Sequence, residues 1–105
     1  MPTPINVLCL GDIVGRPGRE ILKARLSGIQ EENNIHFTIV NIENAAGGFG
    51  VTKKIYDDVA HLDIQVFTSG NHIFDKREFT PKIDQFQNLL RPINYSDSAP
   101  GRGAV

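Results

Sequence analysis

Three short polar motifs follow three apolar runs in this chain, and their residue types suit metal-assisted hydrolysis. Gly11-Asp12 closes the run Ile5-Asn6-Val7-Leu8-Cys9-Leu10. Asn41-Ile42-Glu43-Asn44 closes Phe37-Thr38-Ile39-Val40, and Gly70-Asn71-His72 closes Ile64-Gln65-Val66-Phe67-Thr68. If the runs are parallel strands, all three motifs emerge at one edge of the sheet, where open α/β sheets carry their chemistry. Carboxylate and amide oxygens with one imidazole are a donor set for a divalent cation.

Each motif has a plainer alternative. Asp12 after a strand is as well placed to cap a helix as to bind a metal. Glu43 at the end of an apolar strand is costly to desolvate without a cation or several donors. A salt bridge to Arg16, Arg77 or Arg91 would meet that need, but the ligand reading is favoured. A bridging carboxylate would serve two ions, which in two-metal sites stand about 3.5–4 Å apart. In the third motif Gly70 permits a sharp turn, Asn71 offers an amide oxygen, and His72 can donate a proton to a leaving group. His36 and His61, at helix–strand junctions, are expected in solvent without a role. The Gly47-Gly48-Phe49-Gly50 stretch matches neither common phosphate-binding fingerprint and reads as a mobile loop beside the site. Arg16, Arg19, Lys76 and Arg77 follow the strand ends and could neutralise phosphate, although each is also an ordinary surface charge.

The elements that must position these motifs follow from pattern. Residues 5–10 are apolar at nearly every position, as in a strand buried on both faces, with Cys9 inside it. Ile21, Leu22, Leu26 and Ile29 have helical spacing and predict a helix over residues 19–33, with Pro17 suited to its first turn. Residues 37–42 form a second strand. Thr52 is the expected N-cap of a helix running to about residue 61. Residues 64–69 form a third strand. A third helix is expected within residues 77–89, with Pro81 in its first turn, and residues 90–95 begin a fourth strand or an extended edge. Strands alternating with helices imply right-handed crossovers and a mostly parallel α/β sheet with flanking helices.

Composition narrows the classes. The chain has 105 residues, 40% apolar and 22% charged, enough for a packed core. A net charge of −1 argues against a broad nucleic-acid surface, though not against a small nucleotide held by a few cations. The single cysteine excludes an internal disulfide and points to the cytoplasm. Residues 1–4 lead straight into the first strand without the pattern of a signal peptide, and no run is long enough for a membrane span.

Taken together, the motifs resemble the calcineurin-like metallophosphoesterases, and within them the YmdB-like bacterial cyclic-nucleotide phosphodiesterases. The stretches that carry the resemblance are Gly11-Asp12-Ile13-Val14-Gly15-Arg16-Pro17-Gly18-Arg19, Asn41-Ile42-Glu43-Asn44-Ala45-Ala46-Gly47-Gly48-Phe49-Gly50, Gly70-Asn71-His72-Ile73-Phe74-Asp75-Lys76-Arg77-Glu78, Leu90-Arg91-Pro92-Ile93-Asn94-Tyr95 and Pro100-Gly101-Arg102-Gly103. The resemblance implies the N-terminal half of the family's sandwich fold, with residues 1–105 as one truncated domain. It implies Asp12, Glu43, Asn71 and Asn44 as ligands of two divalent ions, iron or manganese, with Glu43 bridging. His72 would be the general acid or a group stabilising the transition state, and Asn44 and Arg16 would contact a small phosphodiester such as a 2′,3′-cyclic nucleotide. Later histidines, which complete the family's two-metal site, have no counterpart here. The alternative is a catalytically inactive α/β module that binds a nucleotide or a protein partner. A missing layer would also leave an exposed sheet edge or face, which invites self-association.

Overall fold

The apolar runs form a parallel sheet whose strands stand in chain order. The computed structural model describes residues 3–105; Met1 and Pro2, read as part of the lead-in to the first strand, lie outside the described residues. The elements are β1 (Val7–Leu10), α1 (Gly15–Glu32), β2 (Phe37–Asn41), α2 (Lys53–Ala60), β3 (Val66–Thr68) and a short 3-10 helix, η1 (Thr80–Gln85). The sheet order is β1-β2-β3, all parallel, with Leu8 opposite Thr38 and Val40 opposite Phe67. Two right-handed crossovers that step the same way across a sheet put both helices on one face.

That arrangement sorts the side chains. Leu8 and Leu10 pack against the core together with buried Val40 and Phe67, beneath Leu22 and Leu26 of α1 and Tyr56 and Val59 of α2. Beyond β3 an aromatic group closes the core. The Tyr56 and Phe86 rings stand 4.4 Å apart and those of Phe79 and Phe86 5.4 Å apart. The Tyr56 hydroxyl is satisfied by the Asn88 side-chain oxygen, as a buried phenol requires.

The opposite face is open, and this corrects the expectation for the first strand. Ile5 and Val7 are 72% and 50% exposed, and Cys9 is exposed rather than buried. The physical reason is that β1 is an edge strand with helices on one side only. Its alternate residues therefore meet no second layer among the described residues. Ile21, which shares the helical spacing of Leu22, is likewise exposed beside this edge.

Several boundaries also differ from expectation. Strands β1 and β3 are shorter than predicted, and α1 begins at Gly15 instead of residue 19, so Pro17 sits in its first turn. Thr52 caps α2 as expected, its hydroxyl accepting from the Ile55 amide at 3.2 Å. The third helix is only η1, with Pro81 at its start. Proline tolerates the first turn, but six residues between turns do not sustain an α-helix. The expected fourth strand is reduced to single bridges of Leu89 to Phe67 and Leu90 to Arg102, because residues 92–95 turn away. Buried Arg91 donates to the Pro100 and Pro92 carbonyls at 3.1 and 3.0 Å and closes that turn.

Candidate metal centre

The C-terminal ends of all three strands lie at one edge of the sheet, since Leu10 pairs with Val40 and Asn41 with Thr68. Backbone bonds hold the loops that leave them. The Ile13 amide donates to the Asn41 carbonyl at 3.3 Å, and the Ile42 amide donates to the Thr68 carbonyl at 3.0 Å. The three motifs are therefore fixed relative to one another before any side chain is considered.

Asp12 is not a helix cap. Val14 occupies the N-cap of α1 without a side-chain bond, while the Asp12 carboxylate accepts from the Asn44 amide at 2.8 Å. The other end of that amide, the Asn44 Oδ1 oxygen, is buried and has no hydrogen-bond partner. A buried polar atom left unpaired costs about 1–3 kcal/mol, and an amide oxygen in that state is ready to accept a cation.

Glu43 follows buried Ile42 at the end of β2. Its backbone amide donates to the Asn41 side chain at 3.2 Å, which fixes the turn that aims it. Its carboxylate accepts weakly from the His72 backbone amide at 3.4 Å. None of the ion pairs among the described residues involves Glu43: Arg16 pairs with Glu20, and Arg91 is held by carbonyls. The salt-bridge alternative is thus not realised by Arg16 or Arg91. Gly70 leaves the room this carboxylate occupies, since a Cβ there would stand 2.7 Å from Glu43 Cδ.

His72 is paired through Nδ1 with Asp75 Oδ2 at 2.7 Å. An imidazole held at one nitrogen by a carboxylate has its ring orientation fixed and presents the other nitrogen, Nε2. Asp75 falls within the third stretch that carries the resemblance and is assigned no role there, although its three-residue spacing from His72 in a turn is a readable signal. Asn71 is exposed at the same turn. Arg16 lies at the start of α1 with its side chain 83% exposed, 4.0 Å from Glu20. Arg19, one turn on, is mostly buried and has a different task. It donates to the Ala45 carbonyl at 2.5 Å and to Asp58 at 3.1 Å, tying the loop after Asn44 to both helices.

The structure therefore brings Asp12 to Asn44, and Glu43 to Gly70 and His72. Among the described residues no group of three or more His, Cys, Asp or Glu side chains converges as a metal site. Two carboxylates and an orphaned amide oxygen nevertheless suit a hard divalent cation as part of a donor set. His36 and His61 are exposed; the Nδ1 of His36 accepts from the Asn6 amide at 2.9 Å.

A parallel α/β sheet with carboxylate, amide and imidazole groups at its strand ends is the N-terminal part of a phosphatase-type fold. A crystal structure of a novel phosphatase from Mycoplasma pneumoniae superposes on the whole chain with a TM-score of 0.91 and 28% identity, matching 39% of that protein. A hypothetical protein from Thermus thermophilus matches 92% of the chain at a TM-score of 0.79 and 30% identity, over 37% of its own length. The chain belongs to the YmdB-like protein family, which matches residues 8–105. It is 41% identical over 99 residues to a 2′,3′-cyclic-nucleotide 2′-phosphodiesterase of Bacillus subtilis (strain 168). That match covers 94% of this chain and 38% of the relative, so the chain spans well under half the length of the protein it resembles. No helix among the described residues is long and apolar enough to cross a membrane.

Proposed function

We propose that this chain carries the N-terminal part of a metal-dependent phosphodiesterase site of calcineurin-like type, acting in the cytoplasm on small phosphodiesters such as 2′,3′-cyclic nucleotides. The observation that carries this reading is the unpartnered Asn44 Oδ1 beside Asp12, at the same sheet edge as an unpaired Glu43. A buried acceptor left without a partner calls for an explanation, and a bound cation is one that suits an amide oxygen at a strand end.

Asp12, Glu43, Asn71 and Asn44 would hold two divalent ions, with manganese or iron suited to these oxygen donors. Bound there, the ions would polarise the phosphoryl oxygens and activate water. The chain's own residues supply the rest. Arg16 and Asn44 orient the phosphate. His72, set by Asp75, gives a proton through Nε2 to the alkoxide oxygen as its bond to phosphorus breaks. The Bacillus subtilis relative supports the cyclic-nucleotide substrate, since that is what its name states it hydrolyses. Self-association through the open sheet face is part of the same proposal.

The test is metal stoichiometry on protein purified without oxygen, for the natural chain and for Glu43→Ala. One or more ions retained by the first and lost by the second supports the site. Absence of metal from both supports the module that binds nucleotide or a protein partner without hydrolysis.

A further inference from the structure

Phe49 is held half out of the protein by a loop built to present it. Gly47, Gly48 and Gly50 all have positive φ, at 67°, 105° and 76°. A Cβ on Gly47 or Gly48 would meet nothing within 4 Å, so backbone conformation and not space is what glycine provides there. The product is an aromatic ring 47% exposed, although burial of such a ring is favourable by itself.

The ring has a defined setting. The Lys76 ammonium stands over it, 4.3 Å from the centroid, a cation–π distance. With one face under the ammonium, the exposed area belongs to the opposite face and the edge. On one side of Phe49 the Gly48 amide is anchored to the Asn44 carbonyl at 3.1 Å. On the other side Gly50 packs so closely on the second loop that its Cβ would lie 3.4 Å from the His72 carbonyl and 3.5 Å from Asp75 Cβ. The loop that carries the ring is thus tied on one side to Asn44 and on the other to the segment of His72, Asp75 and Lys76.

We infer that Phe49 is the stacking platform for the nucleobase of the substrate, with Lys76 fixing the ring from behind. The inference rests on the phosphodiesterase reading and adds the base-recognising part of the site to it. An exposed ring accepts any base, because every base has a π-face. A cation behind the ring withdraws electron density from it, and the larger overlap of a purine makes purines the better occupants.

The chain has no tryptophan, so Phe49→Trp installs a single tryptophan at the platform, whose emission is read with excitation that leaves the two tyrosines dark. With manganese present, 2′,3′-cyclic AMP is expected to quench it saturably, while a base-free methyl riboside 2,3-cyclic phosphate leaves it unquenched. Calorimetry on Phe49→Ala is expected to show about tenfold or greater weakening for 2′,3′-cyclic AMP and unchanged binding of the base-free phosphate. Equal weakening for both probes would mean the ring only props the loop, and would overturn the platform. If the natural chain binds both probes equally, the phosphodiesterase reading stands and the platform falls. If it binds neither, the phosphodiesterase reading fails and the platform with it.

Discussion

The Glu43 carboxylate fills the space that a side chain on Gly70 would need. A Cβ on Gly70 would lie 2.7 Å from Glu43 Cδ and 2.8 Å from Oε1, well inside contact distance. Gly70→Ala is therefore expected to push the carboxylate from its place with little effect on the core, since the residue lies at a loop. Metal affinity should fall about 10- to 100-fold, as it does when the support of a ligand is lost. Equilibrium dialysis beside a thermal melt separates the two effects. Unchanged affinity would mean that Glu43 does not ligate.

A half-buried carboxylate with no ion pair and only one long hydrogen bond, as at Glu43, is a local liability in the metal-free chain. Glu43→Gln keeps the shape and removes the charge, so it should raise the melting temperature of the metal-free protein while abolishing metal binding. The gain expected from relieving such a site is about 0.5–2 kcal/mol. A lower melting temperature would place Glu43 among the structural residues.

The pairing of His72 with Asp75 predicts a positioning effect. Asp75→Asn keeps a hydrogen-bonding side chain but removes the carboxylate that orients the ring. If turnover is measurable, kcat should drop at least tenfold with little change in KM. A rise in KM alone would show that Asp75 acts through substrate binding instead.

Asp58 lies between Lys23 at 2.9 Å and Arg19 at 3.1 Å, joining α1 to α2. The hydrogen bond from Lys23, aided by the one from Arg19, holds its carboxyl below the ordinary range. A depressed acid stabilises the fold above its unfolded pKa, about 3.9, and that contribution is lost as pH falls through the folded value. Lys23 is raised, chiefly by its bond to Asp58, so its share is present below about pH 10.4 and lost as pH rises through the folded value. Because the pair is partly exposed, its effect is modest and screened by salt. The melting temperatures of the natural chain and Asp58→Asn should converge below about pH 4 and separate near neutrality. A gap independent of pH would reject the assignment.

Exposed Cys9 on the open face gives a direct probe of self-association. The thiol should react rapidly with a disulfide reagent in dilute solution and slow as concentration rises, if copies meet through this face. Val7→Lys should restore fast reaction by placing a charge on the same face. A rate independent of concentration in the natural chain would show that the face stays free.

How much of this was legible depended on whether the determinant was local. The strand ends were readable because an apolar run followed by Gly11-Asp12, Asn41 or Gly70-Asn71 contains both the strand and its stop. The Thr52 cap and the early Pro81 are likewise written within a few residues. Cys9 was misplaced because an apolar run records preference, whereas burial depends on what covers the strand. The role of Gly70 could not be read, since its constraint comes from Glu43, which only the pairing of β2 with β3 brings near. The Asp12–Asn44 bond, which engages Asp12 away from the helix cap, likewise spans two loops.

Strand order has a consequence for how the chain is made. Because β1, β2 and β3 stand side by side in the order of synthesis, each strand finds its partner in the segment made just before it. Val7 pairs with Phe37 and Ile39 with Val66, so each pairing closes across a single helix-containing connection. The sheet can therefore grow one βα unit at a time as the chain leaves the ribosome. Arg91 fastens its loop to the Pro100 carbonyl only when that last stretch has emerged.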